Sequence, residues 1–151
     1  MRKIELKNPG KHVIELKNTG EEVEVVGIFE TKDNQQVKVE VIIHHRAPHT
    51  RATTILKGVA RDKSSLKFSG KIIIDKSCNN SSSFLTERIL LLSDQAHAEA
   101  IPDLEILTDE VKCSHAVSIS NISEEQLFYL MSRGLNKKQA IKLIVEGFLS
   151  E

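Results

Sequence analysis

The sequence predicts a mainly β chain that ends in a helical hairpin, and three observations carry that expectation. Short alternating or aliphatic runs recur from residue 12 to about residue 120. Turn-forming clusters separate them, and no intervening stretch has the length and period of a βαβ crossover helix. The last thirty residues then change to a helical period. Closely spaced strands and turns fit a sandwich, a barrel or a solenoid. Tight, uneven strand spacing and Ser/Asn/Asp-rich connections lean toward stacked solenoid coils without deciding the matter.

The opening Arg2-Lys-Ile-Glu-Leu-Lys7 reads as a short charged strand of the kind that blunts a sheet edge. His12–Leu16, Glu22–Phe29, Val37–Ile43, Thr53–Val59, Leu66–Ile74, Ile89–Leu92 and Leu104–Leu107 follow as strands rich in Val, Ile and Leu. Between them, Lys17–Gly20, Lys32–Asn34, Arg61–Ser65 and Lys76–Ser83 read as turns. The strand core is assigned to residues 1–121 and the helical segment to residues 122–151. Ser123 is a good N-cap with Gln126 at the capping-box position, Leu127, Leu130 and Met131 form an apolar stripe, and Gly134 suits a left-handed stop. Asn136-Lys-Lys-Gln139 opens a second helix whose apolar face is Ala140, Ile141, Ile144, Val145 and Phe148. The hairpin reads either as a plain cap on the β core or as a docking surface for another protein. Lys137, Lys138 and Lys142 lack the wider basic field that DNA reading needs.

Composition narrows the function classes. Lys plus Arg and Asp plus Glu are 21 each, so no global field recruits nucleic acid or an anionic membrane, and self-association is easier to accept. The start lacks a signal-peptide pattern and no run is long enough for a membrane span. Two cysteines without Cys-x-x-Cys spacing fit a reducing compartment. A soluble, cytoplasmic protein is the expectation, with neither nucleic acid nor membrane as partner.

The residues with the most chemistry are Cys113 and His115. Two positions apart in a strand-like run, they project from one face and leave Lys112 and Ser114 on the other. A thiolate and an imidazole suit zinc or an iron–sulfur species, although two ligands are fewer than the usual four. On spacing alone, the plainer reading is a small buried thiol and a hydrogen-bonded edge imidazole. Cys78 falls in a polar connection and reads as an incidental turn cysteine, or as an accessible further ligand. His44 and His45 point to opposite faces; His49 lies near, but a structural corner role for His45 outweighs a metal cluster. His97 reads as loop or surface, Glu105 as an outward strand residue and Asp109-Glu110 as a solvated turn. Lys57-Gly58 has none of the other residues of a phosphate loop, so the chain is expected to bind no ATP itself. No Ser/His/Asp triad can be argued from residue order.

A resemblance sharpens this picture. His45-Arg-Ala-Pro-His-Thr50, Phe68-Ser-Gly-Lys-Ile72, Leu90-Leu-Leu-Ser93, Pro102–Ile106, Asp109–His115 and Glu125–Leu130 with Ser132–Gly134 stand in the order of the motifs of the SufB/SufD iron–sulfur cluster assembly scaffolds. Lys112-Cys-Ser-His115 resembles the SufD branch. The resemblance implies a short right-handed parallel β-helix with a small C-terminal helical domain. It also implies a non-enzymatic scaffold that partners a SufC-type ABC ATPase and a SufB-like subunit or a second copy of itself. Cys113 and His115 fall on the family's interface strand and would face a transient iron–sulfur cluster, while Phe128, Tyr129 and Arg133 fall in the ATPase-contacting helices. Three departures stand out. SufB carries a cysteine just before the strand Ile89–Leu92, where this chain has Thr86-Glu-Arg88. The glutamates flanking SufB's histidine are absent, and Ala116 replaces the usual glycine. The chain also starts where full-length members are well into the β-helix, so a minimal form is expected. Two other readings stand beside the scaffold: an interaction module that binds the ATPase without a cluster, and a β-helical carbohydrate-active enzyme.

Overall fold

A computed structural model describes residues 1–150; Glu151, the end of the predicted helical segment, lies outside the described residues. Nine strands come first: β1 (Arg2–Leu6), β2 (Gly10–Leu16), β3 (Glu22–Thr31), β4 (Gln36–His45), β5 (Arg51–Ala60), β6 (Ser65–Ile74), β7 (Ser81–Leu91), β8 (His97–Ile106) and β9 (Val111–Asn121). Two helices close the chain, α1 (Glu124–Ser132) and α2 (Lys137–Ser150). Odd-numbered strands form one sheet in the order β1-β3-β5-β7-β9 and even-numbered strands another, β2-β4-β6-β8, with every pairing parallel. From β2 to β7 each strand pairs with the one about 30 residues later, Glu22 with Arg51 and Ser65 with His97, whereas the shorter first coil pairs Arg2 with Val23. The result is a β-solenoid of about four turns, the architecture implied by the resemblance.

Alternation explains the core. In β6, Leu66, Phe68, Ile72 and Ile74 point inward and are buried, beside register neighbours of β4 such as Val39 for Phe68 and Ile43 for Ile72. Phe29 and Phe68 meet edge-on at 6.0 Å between centroids. Gly58 sits where the core is tight, because a Cβ there would overlap Leu66 Cδ2 and press on the Phe68 ring. Corners stack coil on coil. Asp33 and Asp62 both take left-handed φ, and Asp33 N–H donates to Asp62 Oδ2 at 2.9 Å, while Lys63 N–H donates to Asp33 O. Backbone pairing thus continues through the turns.

The predicted helix signals act as caps. Gln126 N–H donates to Ser123 Oγ, and α1 ends in a Schellman arrangement in which Gly134 at φ 102° donates to Met131 O and Leu135 to Leu130 O. Asn136 and Gln139 cap α2 reciprocally. Helix α2 lays Val145, Ile141, Ile144 and Phe148 on the outward residues Val59 and Leu90 of the five-stranded sheet. Lys57, itself buried, donates from Nζ to Phe148 O at 3.1 Å, a cation at the carbonyl end of the helix. Met131, expected in an apolar stripe, is exposed.

Two expectations need correction. Lys76–Ser83 is not all turn: β7 begins at Ser81, because its inward positions Ser81, Ser83 and Glu87 are polar and hide the strand's alternation. Cys78 is not an accessible turn thiol. It is 2% exposed, its Sγ lies 3.5 Å from His45 O, and burial, aided by Asp75, pushes the thiol up. It acts as core.

Candidate functional site

Strand β9 is the last of its sheet and β8 the last of the other, so the final coil has no strand beyond it among the described residues. Its inward residues are half-covered. Leu104 and Ile106 of β8 continue the rows of Ile72 and Ile74, and Val117 and Ile119 of β9 stand beside Glu87 and Ile89, yet all four are exposed. This end of the core is open, a continuous apolar face with two free sheet edges.

Cys113 and His115 project into that opening. Register places Cys113 beside Ser83 and His115 beside Leu85, both on the inward row, so the one-face expectation from their spacing holds. Cys113 is half-buried against the core and burial pushes its thiol up, which favours the protonated form until a metal displaces the proton. The His115 side chain is only 3% exposed.

The residue that sequence reasoning missed is Glu87. It is fully buried on β7, diagonal to His115, with Oε2 3.5 Å from His115 Nε2. Neither carboxylate oxygen, neither imidazole nitrogen, nor the Oγ of Ser83 has a hydrogen-bond partner. Room for the carboxylate comes from Gly70 of β6, where a Cβ would lie 2.5 Å from Glu87 Oε1. A signal was present in the sequence: Glu87 interrupts the apolar series Leu85, Ile89 at an inward position. Recognising it requires the strand to be placed first.

The other histidines behave differently. His45 is buried at a coil corner with Nδ1 2.7 Å from Thr50 Oγ1; Thr50 donates to Ala47 O, so Nδ1–H is the donor in that pair. Burial, helped by neighbouring His44, depresses its pKa to about 4. His44 faces outward onto Asp75 at 2.8 Å, and His49 and His97 are exposed. Glu105 pairs outward with Lys71. Among the described residues no three His, Cys, Asp or Glu side chains are clustered for one metal ion. No described helix is long and apolar enough to cross a membrane.

Phe128, Tyr129 and Arg133 lie on a separate element. Phe128 is 76% exposed and Tyr129 59%, and Arg133 stacks over the Tyr129 ring at 5.8 Å. The structure therefore shows two distinct candidate surfaces, the open coil and the outer face of α1.

Comparison with known proteins agrees with this geometry. Residues 10–148 match the family described as SUF system FeS cluster assembly, SufBD core domain. The chain is 31% identical over 140 residues to an iron–sulfur cluster assembly SufBD family protein of Mycobacterium leprae, covering 87% of this chain and 36% of that one. It is 33% identical over 140 residues to one of Mycobacterium tuberculosis H37Rv, covering 87% and 35%, and 32% identical over 105 residues to one of Staphylococcus saprophyticus, covering 70% and 23%. The chain thus spans roughly a third or less of the length of these relatives. A parallel solenoid carrying this match over nearly its whole length belongs to the SufBD core-domain family of the iron–sulfur cluster assembly system.

Proposed function

We propose that this chain is a SufD-like, non-enzymatic scaffold subunit that holds a nascent iron–sulfur species as its cargo. The observation that carries the reading is the position of Cys113 and His115 on the inward row of an unclosed coil. Ligand-type side chains there are sheltered from solvent, and the missing part of the ligand set can arrive with whatever covers the coil. The free edges of β8 and β9 and the exposed Leu104, Ile106, Val117 and Ile119 suit an opposing coil, supplied by a SufB-like subunit or a second copy. On α1, the exposed Phe128, Tyr129 and Arg133 form an aromatic and cationic patch of the composition that anchors protein partners, and we assign it to the SufC-type ABC ATPase. The transient cluster is cargo; ATP is bound by the partner. The setting expected for these reactions is the cytoplasm.

Anaerobic reconstitution with iron and sulfide tests the reading. The expected result is sulfur-to-iron charge-transfer absorption that is lost in Cys113→Ser and His115→Ala while dimer formation persists. A wild-type, ATPase-bound dimer that develops no chromophore overturns the cluster-carrying role and leaves a docking module. Phe128→Ala with Tyr129→Ala is expected to weaken ATPase binding at least tenfold, which corresponds to about 1.4 kcal/mol or more, read by calorimetry.

A further inference from the structure

We propose that Glu87 and His115 form a divalent transition-metal site within a single chain, with one carboxylate oxygen and Nε2 as donors. The inference rests on reading this end of the solenoid as a metal-handling surface, but it requires neither a partner subunit nor a finished cluster.

A buried carboxylate without hydrogen bonds is costly and is normally paired or metal-bound. Glu87 is fully buried, its two oxygens make no hydrogen bond, and the group that stands 3.5 Å from it is an imidazole whose two nitrogens make none either. A hydrogen bond between them does not account for the arrangement: 3.5 Å exceeds the roughly 2.7–2.9 Å of a charge-assisted N–H···O contact. The same 3.5 Å suits two ligands of one ion. With metal–nitrogen and metal–oxygen bonds of about 2.1 Å, it subtends about 113° at the metal, close to tetrahedral.

The fold reserves space for this pair. Leu85 and Ile89 occupy the adjacent inward positions of β7, and an apolar side chain at 87 would extend the core without penalty. Instead a carboxylate stands there, fitted against Gly70, the one inward residue of β6 without a side chain. His115 lies on the last strand of its sheet, so further donors can be supplied from the open side. Cys113 is one inward step from His115 on β9, and Val117, the inward residue beside Glu87, is 41% exposed. A carboxylate with an imidazole selects first-row divalent ions such as ferrous iron, zinc or cobalt over magnesium or calcium, which prefer all-oxygen shells.

Cobalt titration of the metal-free 151-residue chain under anaerobic conditions tests the site. The wild type is expected to bind one equivalent, to develop intense visible d–d absorption and to gain thermal stability on metal addition. Glu87→Gln, which keeps shape and removes the anionic donor, is expected to lower cobalt affinity at least about tenfold and to abolish the metal-induced rise in Tm. Gly70→Ala crowds Oε1 while leaving both donors present, and it is expected to weaken binding in the same direction. Equal cobalt affinity in wild type and Glu87→Gln overturns the site. Iron and sulfide reconstitution of the same samples separates this from the assembly role. Cobalt binding that depends on Glu87 without any chromophore supports the site and sinks cluster carriage, whereas a chromophore with Glu87-independent cobalt binding sinks the site and leaves cluster carriage standing.

Discussion

Two histidines of the same solenoid interior, His45 and His115, are both sheltered from solvent and both lie on inward rows, yet their surroundings differ. His45 sits in the closed middle of the stack, and its Nδ1–H donates to Thr50, which in turn contacts Ala47 O and Ser81 Oγ. His115 sits on the last strand, where the carboxylate of Glu87 stands 3.5 Å away, a distance that suits no strong hydrogen bond. Burial therefore does not by itself distinguish the two histidines in this fold. The difference lies in how each ring is held: His45 keeps one nitrogen in a hydrogen-bonded network and leaves only Nε2 without a partner, whereas neither nitrogen of His115 makes a hydrogen bond.

The largest effect that sharpens this contrast is expected at His45. His45→Ala removes a buried donor from the Thr50–Ser81 network and opens a cavity in a closed corner. Together these costs come to about 4 kcal/mol. Urea denaturation measures it directly. A loss below about 1 kcal/mol breaks the distinction, since the corner network would then be dispensable.

Next in size is a pH effect, again confined to the closed region. The folded-state pKa of His45 is about 4, below its ordinary 6.5, so between those values the unfolded chain takes up a proton that the folded chain refuses. The contribution is complete above pH 6.5 and is lost as pH falls toward 4, by which point the loss amounts to about 3 kcal/mol. Acidic and imidazole groups elsewhere also titrate in this range, so the quantity to compare is the difference in stability between pH 7 and pH 4.5 for wild type and for His45→Gln. The variant is expected to lose less stability on acidification. Parallel slopes would remove His45 from the account.

The same contrast explains how much the sequence could reveal. Strands with apolar inward rows were legible, as in Leu66–Ile74 and Val37–Ile43, and so were the caps at Ser123, Gly134 and Asn136, because alternation and capping are local. Solenoid over sandwich was not decided by local pattern. It depends on parallel pairing at a spacing that is not constant, Glu22 with Arg51 but Ser65 with His97, and uneven coils leave no sharp repeat. The motif resemblance supplied what periodicity lacked. At the site, Cys113 and His115 announced themselves by residue type and spacing, and Cys78 misled because a Ser/Asn-rich neighbourhood hides an inward thiol. Glu87 was hidden for the reason that makes it interesting: a polar inward residue erases the alternation by which its own strand is recognised.

The smallest effect is expected at the open end, and there the sign carries the argument. Glu87→Gln in the metal-free protein replaces a buried carboxyl, which makes no hydrogen bond, with an amide of the same shape that can never carry charge. If Glu87 supported the fold, as His45 does, the change would destabilise. Because the carboxyl is held at a cost, stability is expected to stay unchanged or to rise by up to about 1 kcal/mol. Denaturation of chelator-treated wild type and variant, compared at one pH, reads the sign. A loss larger than about 1 kcal/mol would mean that Glu87 and His115 stabilise each other as an ordinary ion pair, and the open coil would then differ from the closed corner only in its position along the stack.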